Sequence, residues 1–175
     1  MTALRPAGLD DVDFLLGLVN DDDVRPFLAG ARERDRDEVV REIERMEADP
    51  AAFGRIVIEV DGERAGVMSY ERVNERSRIA HLSGLAVDRR FRGRGIADEA
   101  ARLLQRHLID DLGYHRLQLE VYGFNERALA HAERAGFVRE GVRRKAYRYD
   151  DDWVDGVLFG LVAEDFRADA PPGTA

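Results

Sequence analysis

Apolar residues recur along this chain at helical spacing first and at strand spacing afterwards. Val12, Leu15, Leu16 and Val19 fall at i, i+3, i+4 and i+7, one face of a helix opened by Asp10 or Asp11. A short strand over 3–5 precedes it, and the acidic run Asp21-Asp22-Asp23 breaks it off. A short helical piece over 24–28 follows, then a charged helix over 37–48 that turns Val39, Val40, Ile43 and Met46 inward and stops at Asp49-Pro50. Three strands are predicted next, over 55–60, 64–73 and 79–87. Asp61-Gly62 favours a tight hairpin between the first two, and the polar stretch 74–77 separates the last two. Together they read as an antiparallel meander.

Helical spacing returns over 96–112 with Ile96, Ala100, Leu103, Leu104, Leu108 and Leu112, and Gly113 suits the left-handed position after it. Leu117, Leu119 and Val121 alternate as a buried strand over 116–121. Asn125 can cap a helix ending before Gly136. Residues 137–149 and 153–162 read as a final hairpin around Asp150-Asp151-Asp152. A strand, a helix and a further strand in succession need a crossover, so one strand pair is parallel. The expected fold is α/β (α+β): a mixed, mostly antiparallel central sheet of about seven strands flanked by helices. A length of 175 residues fits one domain, expected over 1–166, with a flexible tail over 167–175 that contains Pro171-Pro172-Gly173.

Composition narrows the function classes. There is no cysteine, which excludes disulfides, a thiolate zinc site and a cysteine nucleophile. The four histidines show no H-E-x-x-H spacing, so no metal is expected. No apolar run approaches a membrane span and no signal-peptide core opens the chain, so the cytoplasm is the expected compartment and no membrane partner is expected. A net charge of −8 opposes nucleic-acid binding.

The stretch from Leu85 to Ala97 carries the chemistry. It joins a buried strand to an amphipathic helix through Arg89-Arg90-Phe91-Arg92-Gly93-Arg94-Gly95. Glycines allow close backbone approach and unusual dihedrals. The helix that follows presents unpaired N–H groups, which makes a site for phosphate or pyrophosphate. A dinucleotide fingerprint would need Gly or Ala where Asp98 stands, and the G-x-x-x-x-G-K-[ST] loop is absent. The pattern R-x-x-G-x-G is met by Arg90, Gly93 and Gly95.

With that pattern, the segments Asn125-Glu126-Arg127-Ala128, Ala135-Gly136-Phe137, Glu140-Gly141-Val142-Arg143 and Trp153-Val154-Asp155 make the chain resemble the GNAT superfamily of acyl-CoA N-acyltransferases over 4–166. It is especially similar to the branch of ribosomal-protein N-terminal alanine and polyamine acetyltransferases. The resemblance implies an acetyl-CoA-dependent N-acetyltransferase acting on a small-molecule or peptide amine. It implies a pyrophosphate cradle over the backbone of Arg90, Phe91, Arg92, Gly93, Arg94, Gly95 and Ile96. It also implies a pantetheine arm beside Leu85, Ala86 and Val87, and a contact from Asn125 near the thiol end. Asn125 has a second reading as a plain helix cap. A catalytically weak acyl-CoA sensor or interaction module is the alternative function, and a homodimer is possible for such a fold.

Acyl transfer to an amine needs a neutral nitrogen, hence a base. His81, six residues before Val87 on the same strand face as Ser83 and Leu85, is the first candidate. A histidine titrates near ~6.5 in reference peptides, which suits the task. An ordinary sheet histidine is the competing reading. Glu71 is an alternative base acting through water, as is Glu75. Ala132 stands where many relatives carry a tyrosine acid, leaving Ser83, Tyr122, Tyr147, Tyr149 or water. Without a cysteine, an acyl-thiol relay is disfavoured and direct transfer in a ternary complex is expected. The acidic runs 21–23 and 150–152 either steer a cationic acceptor or are solvated turns.

Overall fold

The structure, a computed structural model, describes residues 1–28 and 32–168. Its strands are β1 (Thr2–Pro6), β2 (Phe53–Val60), β3 (Glu63–Asn74), β4 (Ile79–Val87), β5 (Arg116–Tyr122), β6 (Val138–Tyr149) and β7 (Asp152–Val162). They form one seven-stranded sheet in the order β1-β2-β3-β4-β5-β7-β6, mostly antiparallel. The exception is β4 against β5, parallel through Ile79–His81 and Arg116–Gln118 as the crossover requires. The helices are α1 (Val12–Val19), α2 (Arg36–Ala48), α3 (Ile96–Arg106), α4 (Glu126–Arg134) and α5 (Ala163–Ala168). The chain falls into two compact units, Met1–Arg72 with Leu82–Leu103, and Val73–His81 with Leu104–Ala175.

In the first unit the β2–β3 hairpin turns on Asp61 and Gly62, at φ 52° and 84°. Both angles lie in the left-handed region that an Asp-Gly turn provides. Asp35 opens α2: its carboxylate accepts the Glu38 N–H while Glu38 reaches back to the Asp35 N–H. Val12, Leu15 and Val19 of α1 and Val39 and Ile43 of α2 share one core cluster with Val57, Val67 and Ala86. Asp11 stands at the N-cap position of α1, but its side chain accepts no N–H of that helix. It is 1% exposed, and its carboxylate accepts from Arg5 at 2.6 and 2.8 Å, Arg64 at 2.7 Å and the Gly8 N–H at 2.8 Å.

Strands β3 and β4 meet closely at Gly66. A Cβ there would lie 2.5 Å from the Ala86 carbonyl oxygen and 3.3 Å from the Val87 Cα. Neither atom can move by a side-chain rotation. Gly66→Ala is therefore expected to destabilise the fold by about 2 kcal/mol, within the range for overpacking. A thermal melt of the variant checks this, and an unchanged midpoint would mean that the strands part freely.

In the second unit β7 lies between β5 and β6, pairing Leu117 with Leu161 and Leu119 with Phe159. The helix expected over 96–112 is α only to Arg106, and His107–Asp111 forms a π turn closed by Leu112 N–H to the His107 carbonyl at 3.0 Å. The wider turn buries both Leu108 and Ile109. Helix α5 was not expected. It takes in Arg167 and Ala168, the first two residues of the expected tail, and Arg167 faces Asp110 at 3.6 Å. Residues 169–175 lie outside the described residues. Among the described residues no helix is long and apolar enough to cross a membrane, and no group of three or more His, Asp or Glu side chains could hold a metal ion.

Candidate active site

The loop after β4 is built around a buried aromatic anchor. Asp88 opens a short 3-10 turn by accepting the Arg90 N–H at 2.9 Å, and Phe91 N–H returns to the Asp88 carbonyl at 2.9 Å. Phe91 is buried beneath. Gly93 and Gly95 then take left-handed angles, φ 76° and 75°. Alternating left-handed glycines before a helix turn successive N–H groups toward one side. Among the described residues the N–H groups of Gly93, Arg94, Gly95 and Ile96 make no hydrogen bond. Glycine Cβ positions at 93 and 95 meet nothing within 4 Å. These amides, at the N-terminus of α3, are an open anion cradle.

The loop arginines play a smaller part than their number implies. Arg89 is bound to Asp23, and Arg92 sits 3.6 Å from the same carboxylate while donating to the Val87 carbonyl at 2.9 Å. Arg90 pairs with Asp88 at 3.2 Å and with Glu63 at 3.7 Å. The Arg89 bond, with its charge, holds the Asp23 carboxyl below the usual carboxylate range. Arg94 stands over the Phe91 ring, 5.6 Å from its centre. Three of the four arginines are thus neutralised locally, and the backbone supplies the donors. Free amides begin at Gly93, not at Arg90.

Along β4, Ala86 is buried in the α1–α2 core, while Leu85 and Val87 are half-buried. Ser83 is exposed. Gly84, within β4, takes a left-handed φ of 65°. His81, in the second unit, is half-buried and stands opposite Gln118 of β5. Glu71 is held by Arg45, each side chain about half exposed. Asn125 caps α4, accepting the Ala128 N–H at 3.2 Å, so its capping role is real whatever else it contacts.

The second unit gathers the candidate acids into an aromatic cluster. Tyr122 stacks on Phe124 at 5.5 Å, and Tyr147 and Tyr149 stand edge-on to it at 5.5 and 5.9 Å. Burial and the adjacent Glu120 push the Tyr147 phenol above its ordinary value, and burial does the same for Tyr149. Both phenols keep their protons at neutral pH and can donate. Ala132 is buried. The acidic runs are largely tied up: Asp22 with Arg25 at 3.0 Å, Asp23 with Arg89 and Arg92, and Asp151 with Arg148 at 3.7 Å. Asp21 accepts the Asp23 N–H, and Asp152 the Trp153 N–H.

One charged residue escapes the sequence reading. The strand pattern treats Arg55 as a strand start, yet it is 5% exposed among Gly54, Ile56, Val57 and Ile58. Its Nη1 donates to Ser69 Oγ at 2.9 Å, and its Nε lies 3.5 Å from Glu42 Oε2. The available signal was a lone cation inside an apolar run.

A family model described as the acetyltransferase (GNAT) domain matches residues 2–138. The SPbeta prophage-derived uncharacterized N-acetyltransferase YokL of Bacillus subtilis (strain 168) is 29% identical over 125 residues, covering 71% of this chain and 68% of the relative. The spermidine N-acetyltransferase from Vibrio cholerae, solved in complex with CoA and spermine, superposes with a TM-score of 0.85 at 19% identity, over 95% of this chain and 98% of that one. The ribosomal L7/L12 alpha-N-protein acetyltransferase RimL, solved with coenzyme A, superposes with a TM-score of 0.81 at 21% identity, over 92% and 93%. With its family match, its seven-stranded fold and an amide cradle after β4, the chain belongs to the GNAT family of acetyltransferases, N-acyltransferases that take the acetyl group from acetyl-CoA.

Proposed function

We propose that this enzyme transfers an acetyl group from acetyl-CoA directly to a primary amine in a ternary complex. The open amide cradle from Gly93 to Ile96 carries the reading. It receives the cofactor pyrophosphate, and the edge of β4 at residues 85–87 pairs with the amides of the pantetheine arm. His81 takes the proton of the incoming amine, either directly or through water. The departing thiolate takes its proton from water or from one of Ser83, Tyr122, Tyr147 and Tyr149. The relatives named for spermidine and for the ribosomal L7/L12 protein support a primary-amine acceptor, a polyamine in one case and a peptide N-terminus in the other. Steering of a cation by the acidic runs is weakened at Asp23, whose carboxylate is engaged by Arg89 and Arg92.

Calorimetric titration with acetyl-CoA, with NAD as control, tests the cradle. Initial rates at varied acetyl-CoA and amine test the order. Intersecting lines are expected from a ternary complex, and parallel lines would indicate an acyl-enzyme. Gly95→Ala places a Cβ on a left-handed residue at about 1–2 kcal/mol and pushes the cradle out of shape. Its acetyl-CoA dissociation constant is expected to rise about tenfold. Unaltered affinity in that variant would move the pyrophosphate site elsewhere.

A further inference from the structure

The loop that carries the amide cradle is bound by an anion from elsewhere in the chain. Asp23, in the segment after α1, bonds Arg89 and lies 3.6 Å from Arg92 Nη1. The turn that presents it is closed by its own backbone. Val24 and Arg25 both donate N–H groups to the Asp21 carbonyl, at 2.9 and 2.8 Å, and the Asp23 N–H goes to the Asp21 carboxylate at 2.8 Å. The Asp23 carboxylate serves the two loop arginines.

Arg92 lies against the edge of β4 that the cofactor arm is proposed to use. The Asp88 N–H bonds the Ala65 carbonyl of β3 at 2.8 Å, and the Ala86 carbonyl comes so near Gly66 of β3 that a Cβ there would lie 2.5 Å from it. Residues 86 and 88 thus turn their backbone groups toward β3, and alternation turns those of Leu85 and Val87 to the opposite edge. Arg92 Nε donates to the Val87 carbonyl at 2.9 Å, on that opposite edge. The next residue is Gly93, the first free amide of the cradle. One guanidinium therefore separates the Asp23 carboxylate from the cofactor edge. In the free enzyme an internal anion holds two cations of the loop on which the pyrophosphate docks.

We propose that Asp23 is an autoinhibitory latch on the cofactor site: the pyrophosphate of acetyl-CoA displaces its carboxylate from Arg89 and Arg92, and the segment after α1 is released. The inference rests on the cradle reading above and adds a step to it. The side chains of Arg89 and Asp23 are 74% and 45% exposed, so water replaces a lost partner at little cost, and an exposed pair is weak. A pyrophosphate carries more charge than a carboxylate and takes bidentate bonds from guanidinium groups. The exchange therefore runs toward the cofactor. Asp22, one residue earlier, is held by Arg25 within its own segment and provides the comparison.

Calorimetric titration of acetyl-CoA into the parent, Asp23→Asn and Asp22→Asn at one ionic strength tests the latch. Asp23→Asn is expected to bind about fivefold tighter than the parent, the upper range for an exposed ion pair. Asp22→Asn, which removes the same charge one residue away, is expected to bind as the parent does. Hydrogen exchange reads the release itself. In the parent, the amides of residues 21–28 are expected to exchange faster with acetyl-CoA bound than without it. In Asp23→Asn they are expected to exchange fast in both states. Equal affinity in the parent and Asp23→Asn, equal tightening by both substitutions, or slower exchange of 21–28 on loading each overturns the latch and leaves the cradle reading standing. A parent enzyme that binds no acetyl-CoA overturns both.

Discussion

His81→Gln is expected to lower kcat at neutral pH by about 100-fold or more, the usual contribution of a positioned general base. The dissociation constant for acetyl-CoA should stay unchanged, because the cradle amides of Gly93 to Ile96 do not involve residue 81. Glutamine keeps the approximate size and one polar end of the ring but cannot accept and hold a proton. The acidic limb of the pH–rate profile, set by the base of the parent enzyme, should therefore vanish in the variant. Competing bases are few. Glu71 is held by Arg45 in an exposed ion pair, which engages one of its carboxylate oxygens. Glu75 lies in the exposed turn before β4. A His81→Gln enzyme with the parent pH–rate profile would remove His81 from the mechanism.

Asp11→Ala is expected to destabilise the fold by about 3 kcal/mol, the cost of breaking a buried ion pair. The carboxylate satisfies two arginines and one backbone N–H at once, and its side chain is only 2% exposed. The bond from Arg5 is the largest influence holding its pKa well below the ordinary 3.8, at about 2, against the opposing effect of burial. A carboxyl with a lowered native pKa stabilises the fold fully above its unfolded value. That stability is lost as pH falls through the native one. The shift corresponds to about 2 kcal/mol at neutral pH, vanishing between about pH 4 and pH 2. Urea unfolding of the parent protein and of Asp11→Asn across that window checks the sign. The parent should lose stability more steeply on acidification than the variant, and parallel curves would show that Asp11 contributes no proton linkage.

Much of the fold was legible along the chain because its signals are local. The Asp61-Gly62 turn, the amphipathic stripes of α1 and α2, the limits of β4 and the cap by Asn125 each depend on residues a few positions apart. So does the glycine cradle, since a left-handed residue followed by a helix start is set by neighbours in sequence. The parallel pairing of β4 with β5 followed from the helix between them.

Other features depended on residues distant in sequence. No local signal places β7 between β5 and β6, since a hairpin leaves open which of its strands joins the sheet. The π turn at His107–Asp111 follows from burying Leu108 and Ile109 together, a demand made by the surrounding core. Asp11 resembled a helix opener because Arg5 and Arg64, which claim it, come together only when β1 and β3 flank β2. The loop arginines resembled phosphate ligands because the partner of Arg89 and Arg92, Asp23, lies more than sixty residues earlier. The burial of Arg55 and its bond to Ser69 appear only when β2 pairs with β3. The sequence by itself determined most of the elements, the family and the left-handed glycines before α3, through signals that are short-range in the chain. Tertiary structure decided which charges were already paired, because pairing and desolvation depend on distances that only folding creates.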